Sequence, residues 1–319
     1  MQRRLFLSSI GYVSVAPAVW AQSLPETIRI VLPFPGGNPM DASVRLLAES
    51  LRKVSSRNYI VDNKPGAGAL IGSADVAKSK PDGSTLLYTT GGHTTNAAIR
   101  SKMPYDSIKD FTPITQLSDV PGFLLLVGAN SPYKTLTEFL AQARKQPNTL
   151  TYASAGNGNT THIVGALFAR AANVELLHVP YKTTSTIDVT SGRVDCTFLG
   201  SSLAKPLIDS GQMRGLAISG PERAASLPQI PTLTELGING VDIPAWGGIL
   251  GPRGMSDDLV STLYTNIKAA VADPEYVTGV QKFGDSKFVV TPPKVFAAYL
   301  KSEIDRYKKI LPPLNISMD

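Results

Sequence analysis

The sequence predicts an α/β protein of two lobes, each built on a mostly parallel sheet covered by helices. Three observations lead to this fold class. Extended apolar runs alternate with helical patterns through the first hundred residues, which is typical of a parallel sheet with helical crossovers. A strand, a glycine-rich turn and a helix follow one another at residues 28–54 and again at residues 150–172. Between these repeats two extended runs flank Pro121-Gly122, so we place the crossing into a second lobe there.

Residues 1–21 have the pattern of an export signal. Arg3 and Arg4 precede an apolar stretch without charges, and Val19-Trp20-Ala21 offers small-residue cleavage before Gln22. The apolar stretch is short for a stable membrane span. The paired arginines also resemble a twin-arginine signal, so we expect export to the periplasm by the Sec or the twin-arginine route.

The charge balance favours a small anionic ligand over nucleic acid. The chain of 319 residues has a formal net charge of +6, and loss of Arg3 and Arg4 with the signal would leave +4. The charges are scattered, without a basic run or interleaved aromatic residues, so we expect no nucleic-acid partner. A mild positive bias suits weak steering of an anion. Cys196 is the single cysteine, so no disulfide can form within the chain.

The first lobe opens with an apolar run at residues 28–32, a Pro/Gly turn at 33–38 and an amphipathic helix. Asn38 suits the N-cap and Pro39 suits the first helical position. The alternation continues through two further strands and one helix, at residues 59–61, 86–90 and 69–78. Ligands of such sheets usually bind beyond the carboxyl ends of the strands, where these glycine-rich turns fall.

The second lobe repeats the alternation. Its strands and helices are predicted, in chain order, at residues 123–127, 135–145, 150–153, 163–172, 176–179, 194–199 and 215–219. A long crossing strand at residues 241–250 would return the chain to the first lobe. Two helices and a short strand form the tail, at residues 259–270, 293–311 and 289–290.

These crossings set the predicted domain limits. Lobe 1 comprises residues 22–122 and 249–319, and lobe 2 comprises residues 123–248. We expect closure to be a hinge motion about the crossings near Gly122 and Gly248.

The first glycine-rich turn allows two interpretations. It brings amides to a helix N-terminus, which is electropositive and rich in unpaired N–H groups, so it is either an anion-binding loop or an ordinary strand-to-helix turn. It lacks both the Gly-Lys-Ser/Thr of a nucleotide-binding loop and the G-x-G-x-x-G spacing. Asp41, in the first turn of the helix, either stabilises that helix or contacts the ligand. Trp246 is either interlobe packing or an aromatic wall of the cleft.

The sequence does not display catalytic machinery or a metal site. A hydrolase would pair Ser154 or Cys196 with one of the histidines, and no G-x-S-x-G elbow is present. His162 falls in the first turn of a helix, where a neutral hydrogen-bonding role is favoured over that of a base. His178 is assigned a structural role, and His93 either lines the cleft or packs elsewhere. No metal-ligand spacing occurs, so we expect no metal, no cofactor and no catalytic residue.

Six motifs occur here in the order and spacing known from one family. They are VLPFPGGNPMD, VDNKPGAGALIG, SKPDGSTLLY, TYASAGNGNTTH, HVPYK and PERAASLPQIPTLTELG. The chain therefore resembles the Bug-type periplasmic solute-binding proteins of the tripartite tricarboxylate transporter (TTT) systems. The resemblance covers residues 28–307 and implies a type II-like, two-lobe periplasmic binding protein fold, a Venus flytrap with two crossing strands at the hinge.

The same resemblance implies the function. A receptor of this kind captures a small carboxylate, either a di- or tricarboxylate or an aromatic one, in the interlobe cleft. It delivers the ligand to a two-subunit membrane permease, and we expect the receptor to be a monomer. A periplasmic hydrolase or isomerase acting on a carboxylate, and a sensory receptor, are the alternatives.

The resemblance also implies the site. The two loops of the family map to residues 34–41 and 154–162. The expected ligand-binding residues are Phe34, Gly36, Gly37, Asn38, Asp41, His93, Ser154, Asn157, Gly158, Thr160, Thr161 and Tyr181.

The chain departs from the family pattern near the cleft. The first loop has one extra residue before Asp41. Gly92 stands where the family often has a Ser or Thr, and Thr183 stands where it commonly has a glycine. Leu199-Gly200 replaces an Asp-Asn pair. Most of these changes remove polar groups, so they indicate a less polar ligand, for example an aromatic one.

Overall fold

The computed structural model describes residues 24–120, 122–182, 185–282 and 287–311. The predicted export signal at residues 1–21 lies outside the described residues, as do Pro121 and Thr183. Among the described helices, none is long and apolar enough to cross a bilayer.

Strands and helices alternate along most of the described chain. The strands are β1 (Thr27–Leu32), β2 (Asn58–Asn63), β3 (Thr85–Thr90), β4 (Phe111–Val120), β5 (Phe123–Gly128), β6 (Thr151–Ser154), β7 (Leu177–Pro180), β8 (Cys196–Gly200), β9 (Met213–Ile218), β10 (Ala245–Pro252) and β11 (Lys287–Phe288). The helices are α1 (Pro39–Ser55), α2 (Leu70–Ala77), α3 (Gly92–Ile99), α4 (Leu136–Lys145), α5 (Thr160–Ala171), α6 (Thr186–Thr190), α7 (Ser201–Asp209), α8 (Asp257–Ala270), α9 (Pro274–Gln281) and α10 (Pro293–Ile310).

The strands form two separate sheets, as the two-lobe prediction requires. The first sheet has the order β11-β4-β10-β3-β1-β2, and the second has the order β7-β6-β8-β5-β9. Parallel pairing links β1 with β2 and β3, and β6 with β7 and β8. Both sheets are mixed rather than mostly parallel, because β10 and β5 run antiparallel to both of their neighbours.

Helix α1 forms where a polar cap precedes an apolar stripe. The Asn38 side chain accepts a hydrogen bond from the backbone N–H of Asp41 at 3.0 Å, which confirms Asn38 as the N-cap. Val44, Leu47 and Leu51 recur at helical spacing and are buried in the core of the first sheet. Burial of each such side chain contributes about 1.5–3 kcal/mol to stability. The N-terminus of α1 is therefore held just beyond the end of β1.

The first crossing between the sheets runs from β4 to β5 through Gly122 and lies against the residues that follow β9. Strand β4 belongs to the first sheet and β5 to the second. The backbone N–H of Phe123 donates to Ser219 Oγ at 2.9 Å, and the Ser219 N–H donates to the Phe123 carbonyl at 2.9 Å. A Cβ on Gly122 would lie 2.4 Å from the backbone N of Gly220, so only glycine fits this approach.

The return crossing lies earlier than the predicted hinge at Gly248. Ile243 packs in the core of the second sheet, whereas Trp246 packs in a cluster of the first lobe. Gly248 lies within β10, opposite Thr89. A Cβ there would lie 2.5 Å from the ring of Phe296, so close packing, not hinge motion, requires this glycine.

The C-terminal helix contacts both lobes. Near the start of α10, Phe296 and Leu300 pack in a first-lobe cluster with Trp246. Near its end, Tyr307 and the following Leu311 lie in the core of the second sheet. The predicted assignment of residues 249–319 to lobe 1 therefore does not describe the end of α10.

Other elements also differ from the sequence-based expectation. The sequence does not predict α3, whose first residues are small and polar and nevertheless buried. Strand β10 begins at Ala245 rather than at residue 241, and α5 begins at Thr160 rather than at residue 163. The short tail strand β11 occupies residues 287–288 rather than 289–290.

Candidate functional site

A cavity of about 510 Å³ lies between the two lobes. The first lobe contributes the loop after β1, the first turns of α1, the ends of β3 and β4, and part of β10. The second lobe contributes the start of α5, the end of β8 and one side of α7. The volume falls in the range of about 300–1,000 Å³ that is usual for small-molecule sites.

The N-termini of several helices border this cavity. Asn38 precedes α1, Gly91 precedes α3 and Asn159 precedes α5, and all three residues line the cavity, as does Gly200, which precedes α7. A Cβ on Gly91 would lie only 2.8 Å from Thr160 Oγ1, so α3 and α5 approach each other closely across the lobes. Helix N-termini carry partial positive charge and free N–H groups, so this edge of the cavity favours an anion.

The first loop is held in shape by its own hydrogen bonds. Asn38 Nδ2 donates to the Pro35 carbonyl at 2.7 Å, while Asn38 Oδ1 caps α1. Gly37 has a φ of +80°, which favours glycine, and its N–H donates to Asp41 Oδ2 at 2.9 Å. Phe34, Gly36, Gly37 and Asn38, four of the residues expected to bind the ligand, all line the cavity.

Asp41 supports the first loop instead of facing the cavity. Its carboxylate accepts hydrogen bonds from Asn63 Nδ2 at 3.0 Å and from Arg45 Nε at 3.0 Å, besides the Gly37 N–H. Burial opposes ionisation, but these three donors outweigh it and hold the pKa of Asp41 below its usual range. These donors therefore compensate for the repulsion between the Asp41 carboxylate and an anion that binds at the N-terminus of α1.

The second loop also uses most of its polar groups internally. Thr161 Oγ1 accepts a hydrogen bond from the Ala155 N–H at 3.0 Å and lies 3.1 Å from Asn159 Oδ1, to which it donates. The Gly156 N–H donates to Ser154 Oγ at 3.2 Å. Thr161 thus fixes the loop, and its hydroxyl is already engaged.

Thr160 and Thr161 both line the cavity, but they differ in their hydrogen bonds. The Thr160 side chain is only 3% exposed, and its Oγ1 has no hydrogen-bond partner within the described part of the chain. Such a buried hydroxyl costs free energy unless something binds it. Of the two predicted threonines, Thr160 is the one whose hydroxyl is available to a ligand.

Two histidines support the second loop from behind. The rings of His162 and His178 stack with centroids 3.8 Å apart. His162 Nδ1 accepts from the Gly158 N–H at 3.2 Å, and His178 Nε2 lies 2.6 Å from Ser154 Oγ. Burial lowers the pKa of His162 to about 3, with a contribution from His178, and lowers the pKa of His178 to about 4. Both rings are neutral near pH 7, as predicted for His162.

Acid is therefore expected to destabilise the fold. A folded-state pKa below the ordinary value of about 6.5 means that the unfolded chain binds protons first, so stability is complete above about pH 6.5 and falls as the pH drops towards 4. Each such histidine lowers the free energy of unfolding by about 1.4 kcal/mol per pH unit in that window. Urea unfolding at pH 7, 6 and 5 measures the slope, which should be shallower in His162→Gln. Equal slopes in parent and variant would contradict this account.

His93 and Tyr181 are among the predicted site residues that do not line the main cavity. His93 is 2% exposed, with Nε2 2.8 Å from the Ser107 carbonyl oxygen and its ring against Phe111, 4.9 Å between centroids. Burial lowers the pKa of His93 to about 4. The Tyr181 hydroxyl donates to Asp188 Oδ2 at 2.6 Å, and Tyr181 lines an adjoining, smaller cavity. The expectation that His93 and Tyr181 contact the ligand in the cleft is not met in this arrangement.

Asn157 and Gly158 join the lobes to each other. The hydroxyl of Thr95, on α3, donates to the Gly158 carbonyl at 2.9 Å. Arg100, which follows α3, donates from Nη2 to the Asn157 carbonyl at 3.0 Å. These predicted residues therefore contribute to an interlobe contact through their carbonyls, and neither lines the main cavity.

Several lining residues have no counterpart among the predicted ones. Leu203, Pro206 and Leu207 come from α7, and Tyr276 and Val280 come from α9. In the sequence these residues follow no motif and read as ordinary core positions. Trp246 also lines the cavity, as the aromatic-wall interpretation expects, and it packs edge-on against Phe296 within the first lobe.

The site does not have the layout of an enzyme. Ser154 and His178 form a nucleophile-like pair, but Ser154 is 1% exposed and neither residue lines the main cavity. Cys196 is buried, and burial raises the pKa of its thiol. Among the described residues, no group of three or more His, Cys, Asp or Glu side chains could hold a metal ion.

Two lobes around a cavity that is bordered by helix N-termini define a solute-binding receptor of the periplasmic type. The family model of the tripartite tricarboxylate transporter family receptor, TctC, matches residues 43–316. The chain therefore belongs to this receptor family.

Relatives and solved structures agree with this assignment. A UPF0065 protein from the tcbD-tcbE intergenic region of Pseudomonas sp. strain P51 is 34% identical over 316 residues, covering 97% of this chain and 94% of the relative. The periplasmic binding protein BugD is 28% identical with a TM-score of 0.86, over 92% of this chain and 99% of BugD. R. palustris Rpa4515, solved with adipate, is 29% identical with a TM-score of 0.85, over 91% of this chain and 98% of Rpa4515.

These comparisons confirm several predictions. The Bug-type resemblance and the two-lobe fold are confirmed. The chain is a periplasmic solute-binding receptor of the tripartite tricarboxylate transporter family. It is not an enzyme, since its family and its structural neighbours are binding proteins.

Proposed function

We propose that this receptor captures a small carboxylate where the N-termini of α1, α3 and α5 meet, and delivers it to a permease of two membrane subunits. The observation that carries the proposal is the unpartnered hydroxyl of Thr160, buried at the junction of two of these helices. The adipate bound to Rpa4515 supports a carboxylate as the ligand class. We assign the ligand contacts to the six predicted residues that line the cavity: Phe34, Gly36, Gly37, Asn38, Thr160 and Thr161.

Oriented donors supply the affinity in this proposal. Hydrogen bonds to a charged group each contribute about 1.5–3 kcal/mol. Closure of the lobes would be a hinge motion at the two crossings, one near Gly122 and the other between Ile243 and Trp246. The bonds from Thr95 and Arg100 to the second loop favour the arrangement in which the lobes touch.

A thermal-shift screen tests the ligand class. Mono-, di- and tricarboxylates, aliphatic and aromatic, are added over a concentration series to the mature protein. A true ligand stabilises the native state by about 2.7 kcal/mol at a hundred times its Kd, so Tm should rise with concentration. Failure of every carboxylate to raise Tm, with a neutral solute raising it instead, would overturn the proposal.

The partner and the assembly state have separate tests. The receptor should be retained by the two membrane subunits of a tripartite transporter only when ligand is present. Light scattering at micromolar concentration should give the mass of one chain, because we propose that a monomer delivers the ligand. A stable dimer would contradict the monomer and would leave the permease as the proposed partner.

Export is expected to remove the signal. The pattern at residues 1–21 places cleavage after Ala21, so mass spectrometry of the periplasmic fraction should give a mature chain that begins near Gln22. Replacing Arg3 and Arg4 by lysines separates the routes, because the twin-arginine pathway requires the arginine pair whereas Sec accepts any basic residues. A periplasmic protein that retains Arg3 and Arg4 would contradict cleavage.

A further inference from the structure

The cavity has two kinds of wall. Its polar edge is the junction of the N-termini of α1, α3 and α5 described above. Away from the loops, apolar side chains from both lobes line it: from α1 Met40, Val44 and Leu47, and from α7 Leu203 and Leu207. Tyr276 and Val280 of α9 extend the same wall. A ligand that fills the cavity therefore meets helix N-termini at one end and a mainly apolar wall over much of its body, with hydroxyl groups such as those of Ser43 and Ser202 between the apolar side chains.

The described residues that line the cavity include no Asp, Glu, Lys, Arg or His. Two nearby cations already have partners: Arg45 binds Asp41 and Asn63, and Arg100 binds Asn96 and the Asn157 carbonyl. Arg100 and Lys182 line an adjoining smaller cavity, which shares Phe34, Pro35 and Ala155 with the main one. A second ionised group on the ligand would have no counter-charge in the main cavity, and an unpaired buried charge is strongly disfavoured.

Aromatic rings are frequent in the wall. Six aromatic side chains line the cavity: Phe34, Tyr88, Phe123, Phe198, Trp246 and Tyr276. They come from both lobes, so a flat ligand body would contact rings on two sides. Offset and edge-on ring contacts add affinity beyond that of the area that they bury.

We propose that the ligand carries a single carboxylate and an apolar, ring-bearing body, and that the receptor discriminates against a second ionised group. The carboxylate lies at the junction of α1, α3 and α5, and the body lies against α1, α7 and α9. This inference rests on the proposed function, since it names the class of carboxylate that the same site takes.

Matched pairs of acids test the inference by calorimetry on the mature protein. The pairs are benzoate and terephthalate, 3-phenylpropanoate and 3-(4-carboxyphenyl)propanoate, and hexanoate and adipate. Within each aromatic pair the monocarboxylate should bind at least tenfold more tightly, and the best aromatic acid should bind more tightly than hexanoate. A dicarboxylate that binds as tightly as its partner overturns the inference and leaves the proposed function standing. If neither these acids nor citrate bind, both fail.

A designed cation provides the second test. Leu203 is half-buried on the apolar wall, and Leu203→Arg would place a positive charge there. The variant should raise the affinity for terephthalate relative to benzoate at least tenfold, while Leu203→Met should leave the ratio unchanged. Circular dichroism establishes that both variants are folded. An unchanged ratio in folded Leu203→Arg would show that the ligand body does not reach α7, which overturns the inference.

Discussion

Replacement of Gly91 by valine is expected to weaken ligand binding about a hundredfold, which is on the order of 2.7 kcal/mol. A Cβ at this position would lie 2.8 Å from Thr160 Oγ1, closer than two such atoms can approach. The first turns of α3 and α5 would have to separate, and both supply the positive end of a helix to the same anion. The added side chain thus acts on the geometry of the donors without removing any of them.

The neighbouring glycine offers a matched control. A Cβ on Gly92 would have its nearest contact at 3.6 Å, with Asn159 Nδ2, which is ordinary van der Waals contact. Gly92→Ala should therefore retain affinity within a few-fold, while Gly91→Ala should lie between the parent and Gly91→Val. Calorimetry with the acid found in the screen, on variants with native circular dichroism, gives the comparison. Equal affinities in parent and Gly91→Val would place the carboxylate away from the junction of α3 and α5.

Replacement of Tyr307 by alanine is expected to lower the free energy of unfolding by about 3–5 kcal/mol, the usual cost of truncating a large buried aromatic residue. Tyr307 is fully buried and lies in the core of the second sheet, although α10 begins against the first sheet. The substitution should therefore destabilise the second lobe, although the sequence assigns this helix to lobe 1.

Lys308 provides the control on the next residue of α10. It is exposed, so Lys308→Ala should change stability by no more than about 0.5 kcal/mol. Urea unfolding of both variants measures the difference. A loss below 1 kcal/mol in Tyr307→Ala would mean that the end of α10 contributes little to the second core, contrary to its burial.

Local sequence signals predict the parts of this fold that local interactions stabilise. The apolar stripe of α1, its Asn38 cap and the strand before it are all encoded within about thirty residues, and they are found as predicted. Glycine-rich turns mark the ends of strands because particular residues such as Gly37 adopt positive φ. The two-lobe architecture arises because this unit of strand, glycine-rich turn and helix occurs in both lobes.

Helix α3 shows why other parts escape such prediction. Thr95 and Asn96 are buried because they bind the carbonyls of Gly158 and Gly68, which lie 63 and 28 residues away. A polar residue that is buried by a distant partner leaves no periodic apolar pattern in its own segment. Sequence patterns therefore do not predict the N-terminus of α3 at the cavity.

The polar candidates illustrate the same limit. Asp41, Ser154 and Thr161 have the chemistry of ligand contacts, and their positions in the two loops were predicted. Sequence spacing alone does not show that each of these side chains already forms a hydrogen bond within its own loop. Only Thr160 among the hydroxyl residues of the second loop remains without a partner in the described part of the chain.

The internal bonding of the second loop has a thermodynamic consequence. Because the side chains of Ser154, Asn159, Thr161 and His162 hold the loop amides before any solute arrives, its conformational entropy is lost when the chain folds. Ligand binding then orders little backbone in this segment. Backbone order parameters of the loop in the empty receptor should already be near the value of about 0.85 that is typical of rigid backbone. The temperature dependence of the binding enthalpy should accordingly report burial of the apolar wall and no coupled folding.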